Sequence, residues 1–294
     1  MTATLEDAMA RNPHLREYVE RVTREWKMPE YYPELSYDMK VGKTEEINVL
    51  YPIGDPYYVH VKKPEGGEPE YVVIGPRYTA EELRIFRDLY NRILKRVSLI
   101  EKVPKDQDEF INTIIRLVRE VVVTRDSPYR WADEVLFGKI YVPPDKYRKI
   151  RELVIRELAQ YSTIEPFMRD PYIEDLSCVG TNNMWVVHKI FGAMETNVRF
   201  EDEDSLEDFI YRLTELLNRP ASEVKPIVDA ALPDGSRLNV IYSKDVSIRG
   251  ASFTIRKFTK VPISITQLIR WNTVSALEAA YFCWRYPPGR QCSS

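Results

Sequence analysis

Apolar residues recur at helical spacing early in the chain, where Leu15, Tyr18, Val19, Val22 and Trp26 share one face of a segment from about Pro13 to Trp26. Pro29 and Pro33 end it. The pattern then shortens to strand-like runs. Ile47–Tyr51 and Tyr57–Val61 precede the turn signal Pro64-Glu-Gly-Gly67, and Tyr71–Ile74 follows, which predicts a small meander. Thr79 and Glu82 have the spacing of a capping box for a helix running to about Val97. A second helix is predicted from Asp106, with Phe110, Ile114, Ile115, Leu117, Val118 and Val121 on a broad apolar face. A third follows Pro143-Pro144, from Asp145 to about Tyr161, striped by Leu153, Val154, Leu158 and Tyr161.

Strands dominate after that helix. They are predicted at Ile173–Cys178, Met184–His188 and Glu195–Val198, then at Ile227–Leu232, Arg237–Tyr242 and Ala251–Ile255. One helix interrupts them, from about Ser205 to Leu217. Thr273 is positioned to cap a last helix through Phe282, and Pro287-Pro288 breaks it. The pattern predicts an α+β fold in two parts. Residues 1–144 form a helix-rich part with a small meander, residues 145–261 a strand-rich α/β domain, and residues 262–294 the start of a linker.

Composition narrows this picture only a little. The 294 residues are 44% hydrophobic and 30% charged, ordinary for a packed chain of about two domains. The net charge of -3 supplies no basic field, so no nucleic-acid partner is expected. No apolar run approaches the roughly 20 residues of a membrane helix, and Met1–Arg11 has no secretory pattern. Cys178, Cys283 and Cys292 contain no CxxC pair for zinc and too few thiols for a disulfide framework. Together these features predict a cytoplasmic protein.

Most residues that could carry chemistry have plainer explanations. Gly42-Lys43-Thr44 ends like a P-loop, but Tyr37 stands where the loop's first glycine belongs. Glu201–Asp204 is favourable charge at a helix start. Glu174 and Asp175 are adjacent on a predicted strand, so alternation separates them. His14, His60 and His188 lack partners at ligand spacing, so no metal site is expected. The informative stretch runs from Leu232 to Phe258. There Pro233-Asp-Gly235 is a turn, Arg237 begins a strand, Arg249 lies in a connection and Arg256 ends the next strand. A guanidinium is a planar fork of donors suited to phosphate oxygens.

Four blocks in this half are familiar together: Asp170-Pro-Tyr-Ile-Glu-Asp-Leu-Ser-Cys-Val-Gly180, Leu232-Pro-Asp-Gly-Ser-Arg-Leu238, Arg249-Gly-Ala-Ser-Phe-Thr-Ile-Arg-Lys-Phe258 and Pro262-Ile-Ser-Ile-Thr-Gln-Leu-Ile269. In order and spacing, from about residue 145 to 282, they resemble the type II/type IV secretion ATPase superfamily. The closest likeness is to its archaeal branch, which drives archaella, pili and secretion. Residues 1–144 resemble that branch's variable helical extension less specifically. The resemblance implies a hexameric ring, with ATP and magnesium held between an amino-terminal domain and a RecA-like motor core. On the family pattern Arg237 and Arg256 reach the nucleotide phosphates, and Arg249 is a third, weaker match. The partners implied are sister subunits and a polytopic membrane platform, which would hold the ring peripherally at the inner face of the cell membrane. The likeness ends at Phe282, before the family's P-loop and acidic metal-binding motif. The expectation is therefore a portion with no catalytic residue of its own, and a tail from Cys283 to Ser294 foreign to the fold. A non-catalytic adaptor that docks on the platform without nucleotide is the alternative.

Overall fold

The computed structural model describes residues 4–36, 39, 46–97, 107–124, 139–242, 247–258, 264–270 and 273–285. The tripeptide Gly42-Lys43-Thr44 lies outside them. The chain divides into two compact units, Met1–Lys257 and Phe258–Ser294.

In the first unit, helix α1 (Leu5–Arg11) begins at Thr4, whose hydroxyl and backbone share a capping box with Asp7. Helix α2 (Pro13–Glu25) opens on a proline, tolerated in a first turn because that N–H has no helical partner anyway. Strand β1 (Glu30–Tyr31) then pairs in parallel with β2 (Ile47–Pro52), which continues antiparallel into β3 (Tyr58–Lys63) and β4 (Glu70–Ile74). Leu15 and Val19 of α2 pack with Leu50, Tyr58, Val72 and Ile74 on one face of this meander. Val49, Tyr51, Val59, Val61 and Tyr71 enter a larger core on the other face. Burial on both faces is why these strands read as short continuous apolar runs rather than as alternation.

Helices α3 (Ala80–Val97), α4 (Gln107–Val121) and α5 (Pro144–Ala159) enclose a separate core of Leu89, Ile93, Ile114, Val118, Val121, Ile150 and Val154. The Thr79–Glu82 box is formed, with Glu82 N donating to Thr79 Oγ1 (3.2 Å) and Thr79 N to Glu82 Oε2 (2.6 Å). Two short strands beside these helices, β5 (Val122–Val123) and β6 (Ile140–Tyr141), pair in parallel.

The short helix α6 (Glu165–Arg169) leads into β7 (Ile173–Val179), β8 (Trp185–His188) and β9 (Gly192–Thr196). Helix α7 (Glu203–Leu216) follows, capped by Asp202, which accepts from Ser205 N at 2.7 Å. Strands β10 (Ile227–Ala231), β11 (Arg237–Ile241) and β12 (Ser252–Arg256) complete the unit. Leu206, Phe209, Ile210 and Leu213 of α7 join the larger core, which also takes Leu176, Cys178, Leu238, Val240, Phe253 and Ile255 from the strands.

Among the described residues, ten strands form one sheet in the order β1-β2-β3-β4-β9-β8-β7-β12-β11-β10. It is antiparallel except where β1 meets β2 and β4 meets β9. The fold is thus mixed α and β with a large, mostly antiparallel sheet. The β4–β9 junction is short: Glu70 opposes Glu195 and Tyr71 opposes Thr196. The Asn197 side chain lengthens it by accepting from Val73 N (2.8 Å) and donating to Val73 O (3.1 Å). Sheet and core therefore run across residue 145, where the sequence suggested a change of domain.

In the second unit, α8 (Ile265–Arg270) precedes α9 (Ala276–Arg285). Ser275, not Thr273, caps α9: Glu278 N donates to Ser275 Oγ (3.2 Å) and Ser275 N to Glu278 Oε2 (2.8 Å). The capping geometry favours Ser275 because its Glu stands three residues later, whereas Thr273 has Ala276 there.

One buried carboxylate ties the two halves of the sheet. Tyr51 and Tyr71, from the meander, each donate a phenolic O–H to Asp170 Oδ2 at 2.7 Å, and Tyr172 N donates to Oδ1 at 2.8 Å. Asp170→Ala leaves three donors, two buried and one part-buried, without their acceptor. Each such loss costs about 1–3 kcal/mol, so the variant should lose roughly 3 kcal/mol or more in urea unfolding followed by circular dichroism. Tyr71→Phe removes only one bond and should cost about 1 kcal/mol. Equal losses in the two variants would show that Asp170 is not the shared anchor.

Candidate functional site

The half of the sheet from β9 to β10 is covered by α7 on one face only. On the other face, alternate residues of each strand stay exposed, as an antiparallel sheet with one solvated side requires. Arg237 and Asn239 of β11, Thr254 and Arg256 of β12, and Trp185 of β8 all lie on this face, while their neighbours Leu238, Val240, Phe253, Ile255 and Val186 are buried.

The strand register sorts these residues into rows. Arg237 stands directly opposite Arg256, and Arg256 directly opposite Asp175. The turn ahead of Arg237 fixes this row. Gly235 has φ +86°, its N donates to Leu232 O (2.9 Å), and Leu232 N donates to Ser236 O (2.8 Å). Asp234 also accepts from Ser236 N (3.0 Å) and Ser236 Oγ (2.7 Å), so the strand leaves the turn in one register. Directly opposed residues have Cβ atoms about 5 Å apart, and like charges so placed repel. Arg256 has a counter-ion: its Nε donates to Asp175 Oδ1 at 3.0 Å and its Nη2 approaches Oδ2 at 3.5 Å. The Arg237 guanidinium has no hydrogen bond or ion pair among the described residues.

Arg249 is elsewhere. It precedes β12, seven residues from Arg256, which at strand rise is on the order of 20 Å. There it lines a cavity of about 480 Å³ with Arg199, Trp185, Asn182, Asn183 and Glu195. Gly180 allows this approach. It has φ +59°, and a Cβ on it would lie 2.4 Å from the carbonyl oxygen of Arg249. The three arginines singled out in the sequence thus fall into two places, and of the three only Arg237 and Arg256 stand opposite each other.

The expected separation of Glu174 from Asp175 is corrected by a bulge. The β7–β8 register shifts between Ile173 and Asp175, so strict alternation fails there. Glu174 is exposed, and Asp175, a quarter exposed, holds Arg256. The three histidines are all engaged. His14 Nε2 bonds Pro56 O (2.8 Å), and His60 lies between Tyr18 and Asn48 (2.8 Å each). His188 Nδ1 accepts from Ile190 N (3.1 Å) and Phe191 N (3.2 Å), which leaves the proton on Nε2 to donate to Tyr51. Burial pushes His188 down to about 3, so the ring is neutral. Among the described residues, no group of three or more His, Cys, Asp or Glu could hold a metal ion. Nor is any described helix long and apolar enough to cross a membrane.

Sequence reasoning missed Lys257. Next to Arg256 on the strand, it must point to the other side, and its Nζ donates to the carbonyls of Phe167 and Met168 (2.9 Å each) and to that of Asp170. These are carbonyls at the end of α6, negative by the helix dipole. The legible signal was the alternation in Phe253-Thr-Ile-Arg-Lys257, which sends a lysine inward if the arginine points out.

Comparisons with known proteins give relatives without an assigned function. The chain is 41% identical over 297 residues to uncharacterized protein MJ0900 of Methanocaldococcus jannaschii, matching 97% of this chain and 53% of that protein. It is also 29% identical over 182 residues to MJ1288 and 28% over 207 residues to MJ0781, both uncharacterized proteins of the same organism. These matches cover 60% and 70% of this chain and 66% and 25% of those proteins. The chain thus spans about half the length of the first relative. No family model matches. Among solved structures, the VirB11 ATPase of the Brucella suis type IV secretion system, in complex with sulphate, is similar with 17% identity and a TM-score of 0.34. That match covers 38% of this chain and 34% of that one. A likeness so weak and partial carries no argument about function.

Burial pushes Lys257 down to about 8, against the opposing pull of Asp170. Its folded-state pKa is below its unfolded one, so between pH 8 and about 10.5 the unfolded chain binds the extra proton. Stability contributed by this group should therefore rise with pH across that window. Measured by denaturant unfolding, the wild type should gain on Lys257→Met by on the order of 1 kcal/mol or more between pH 7.5 and 10. A constant difference would mean that Lys257 is not buried as a charge.

Proposed function

We propose that this chain is the amino-terminal, phosphate-facing portion of a secretion-type assembly ATPase, completing a nucleotide site whose other wall belongs to a motor core. The observation that carries this reading is the row Arg237–Arg256 on an uncovered sheet face. Two like charges held opposite each other cost stability unless an anion joins them, and Asp175 reaches only one. Two guanidinium forks side by side suit the oxygens of a terminal phosphate, which develop charge during phosphoryl transfer. The four sequence blocks support the same reading, since by their resemblance both arginines match the family's phosphate-contacting positions. Arg249 is assigned there as well by resemblance, but its position near the β7–β8 turn makes it the poorest fit of the three.

In this reading ATP and magnesium are held by the motor half of a longer protein, and this chain opens and closes upon it. The proposed assembly is a hexameric ring on a membrane platform, peripheral at the inner face of the cell membrane. The non-catalytic adaptor is the competing outcome: a platform-binding module indifferent to phosphate.

The chain alone should show no magnesium-dependent ATP turnover above a boiled control, because phosphoryl transfer needs a P-loop lysine and a metal-binding acid. Turnover that survives Lys43→Ala would expose a catalytic site elsewhere in the chain. In a longer relative that carries both halves, alanine at the positions matching Arg237 or Arg256 should lower turnover about tenfold or more, a charge-assisted contact being worth roughly 1.5–3 kcal/mol. Lysine should rescue only in part, because an ammonium lacks the planar fork. Unchanged turnover in both alanine variants would favour the adaptor.

A further inference from the structure

We infer that Asp175 is a built-in competitor for the arginine pair, a carboxylate latch that a multiply charged phosphate must displace from Arg256. The inference rests on the phosphate reading of Arg237 and Arg256 and adds to it the residue that sets the threshold for anion binding.

The geometry gives three charges in one row of the sheet, Arg237, Arg256 and Asp175, each opposite the next. Their order matters. Arg256 sits in the middle, repelled from one side and attracted from the other, so its guanidinium is drawn toward Asp175. Its side chain is 73% exposed, while that of Asp175 is 23% exposed. An ion pair so open to solvent is weak and easily exchanged. Asp175 itself is anchored: it lies in β7 between two neighbouring strands, at the bulge where the register with β8 shifts. The arginine is therefore the partner that can move.

A singly charged anion gains little by taking Arg256 from Asp175, since one carboxylate-like contact replaces another. A polyphosphate end carries more charge and can engage Arg237 and Arg256 together, removing the repulsion between them. Asp175 thus makes the pair selective for highly charged phosphate at the expense of affinity. The exposed neighbour Glu174 supplies a control, because it carries the same charge one residue away without bonding Arg256.

The test is a titration of the chain with inorganic tripolyphosphate and, separately, acetate at low ionic strength, following the arginine Nε–H resonances by nuclear magnetic resonance. Wild type should bind tripolyphosphate through a response lost in both Arg237→Ala and Arg256→Ala, with acetate silent. Asp175→Asn should tighten tripolyphosphate two- to fivefold and let acetate perturb Arg256. Glu174→Gln should change tripolyphosphate affinity less than half as much. If Asp175→Asn binds no more tightly than wild type, or Glu174→Gln matches it, the latch is wrong while the phosphate reading stands. If no response depends on Arg237 and Arg256, the phosphate reading itself falls and takes the latch with it.

Discussion

A carboxylate with no solvent around it organises this molecule. Asp170 is fully buried, and burial alone raises its carboxyl above the usual range. It is tolerable there because three donors and the nearby Lys257 ammonium surround it. Those donors come from β2, β4 and the residue before β7, so one side chain fixes the meander against the second half of the sheet. His188 of β8 joins through Tyr51, and Lys257 fastens the end of β12 to the carbonyls before Asp170. Five elements meet at one residue. Removing a member of such a network leaves the others unpaired in low dielectric, which makes the arrangement cooperative.

That anchor has a consequence on the opposite face. With Lys257 held inward, the period-2 geometry of β12 must send Arg256 outward, and the β11–β12 register brings Arg237 beside it. Neither arginine is held by burial. The Arg237 backbone is set by the Pro233–Ser236 turn, and that of Arg256 by the strand end that Lys257 secures. Both guanidinium groups thus extend from paired backbone toward solvent, Arg256 tied to Asp175 and Arg237 without such a tie among the described residues.

Much of this fold was legible in the sequence. Helix periodicity located α2, α3, α5 and α7, and the Thr79–Glu82 spacing gave a real cap. The meander was found because its strands are bounded by turn residues. What could not be read was pairing between distant segments. The β4–β9 junction matches only two residues on each strand and leans on the Asn197 amide, so no periodicity announces it. The two-residue strands β1, β5 and β6 are too short for any pattern. The bulge at Glu174 was hidden too, because alternation read from sequence assumes the register it is used to predict. For the candidate site, residue type pointed to three arginines, but their grouping needed the register.

That grouping follows from where one turn falls. Arg237 is the first residue of its strand and Arg256 the last of the next, so the antiparallel register makes them opposite only if the connection returns without a slip. A shift of one residue would place Arg256 opposite an inward-facing position and carry its whole strand to the wrong face. The apolar alternation of Leu238, Val240, Phe253 and Ile255 forbids this, since all four are buried in the α7 core. The same hydrophobic pattern that specifies the sheet therefore also sets two like-charged residues opposite each other. Solvent-exposed charges tolerate that cost, because water screens much of the repulsion between them. Arg249 lies beyond the paired residues of β12 and experiences no such constraint, which is why chemistry alone could not separate it from the other two.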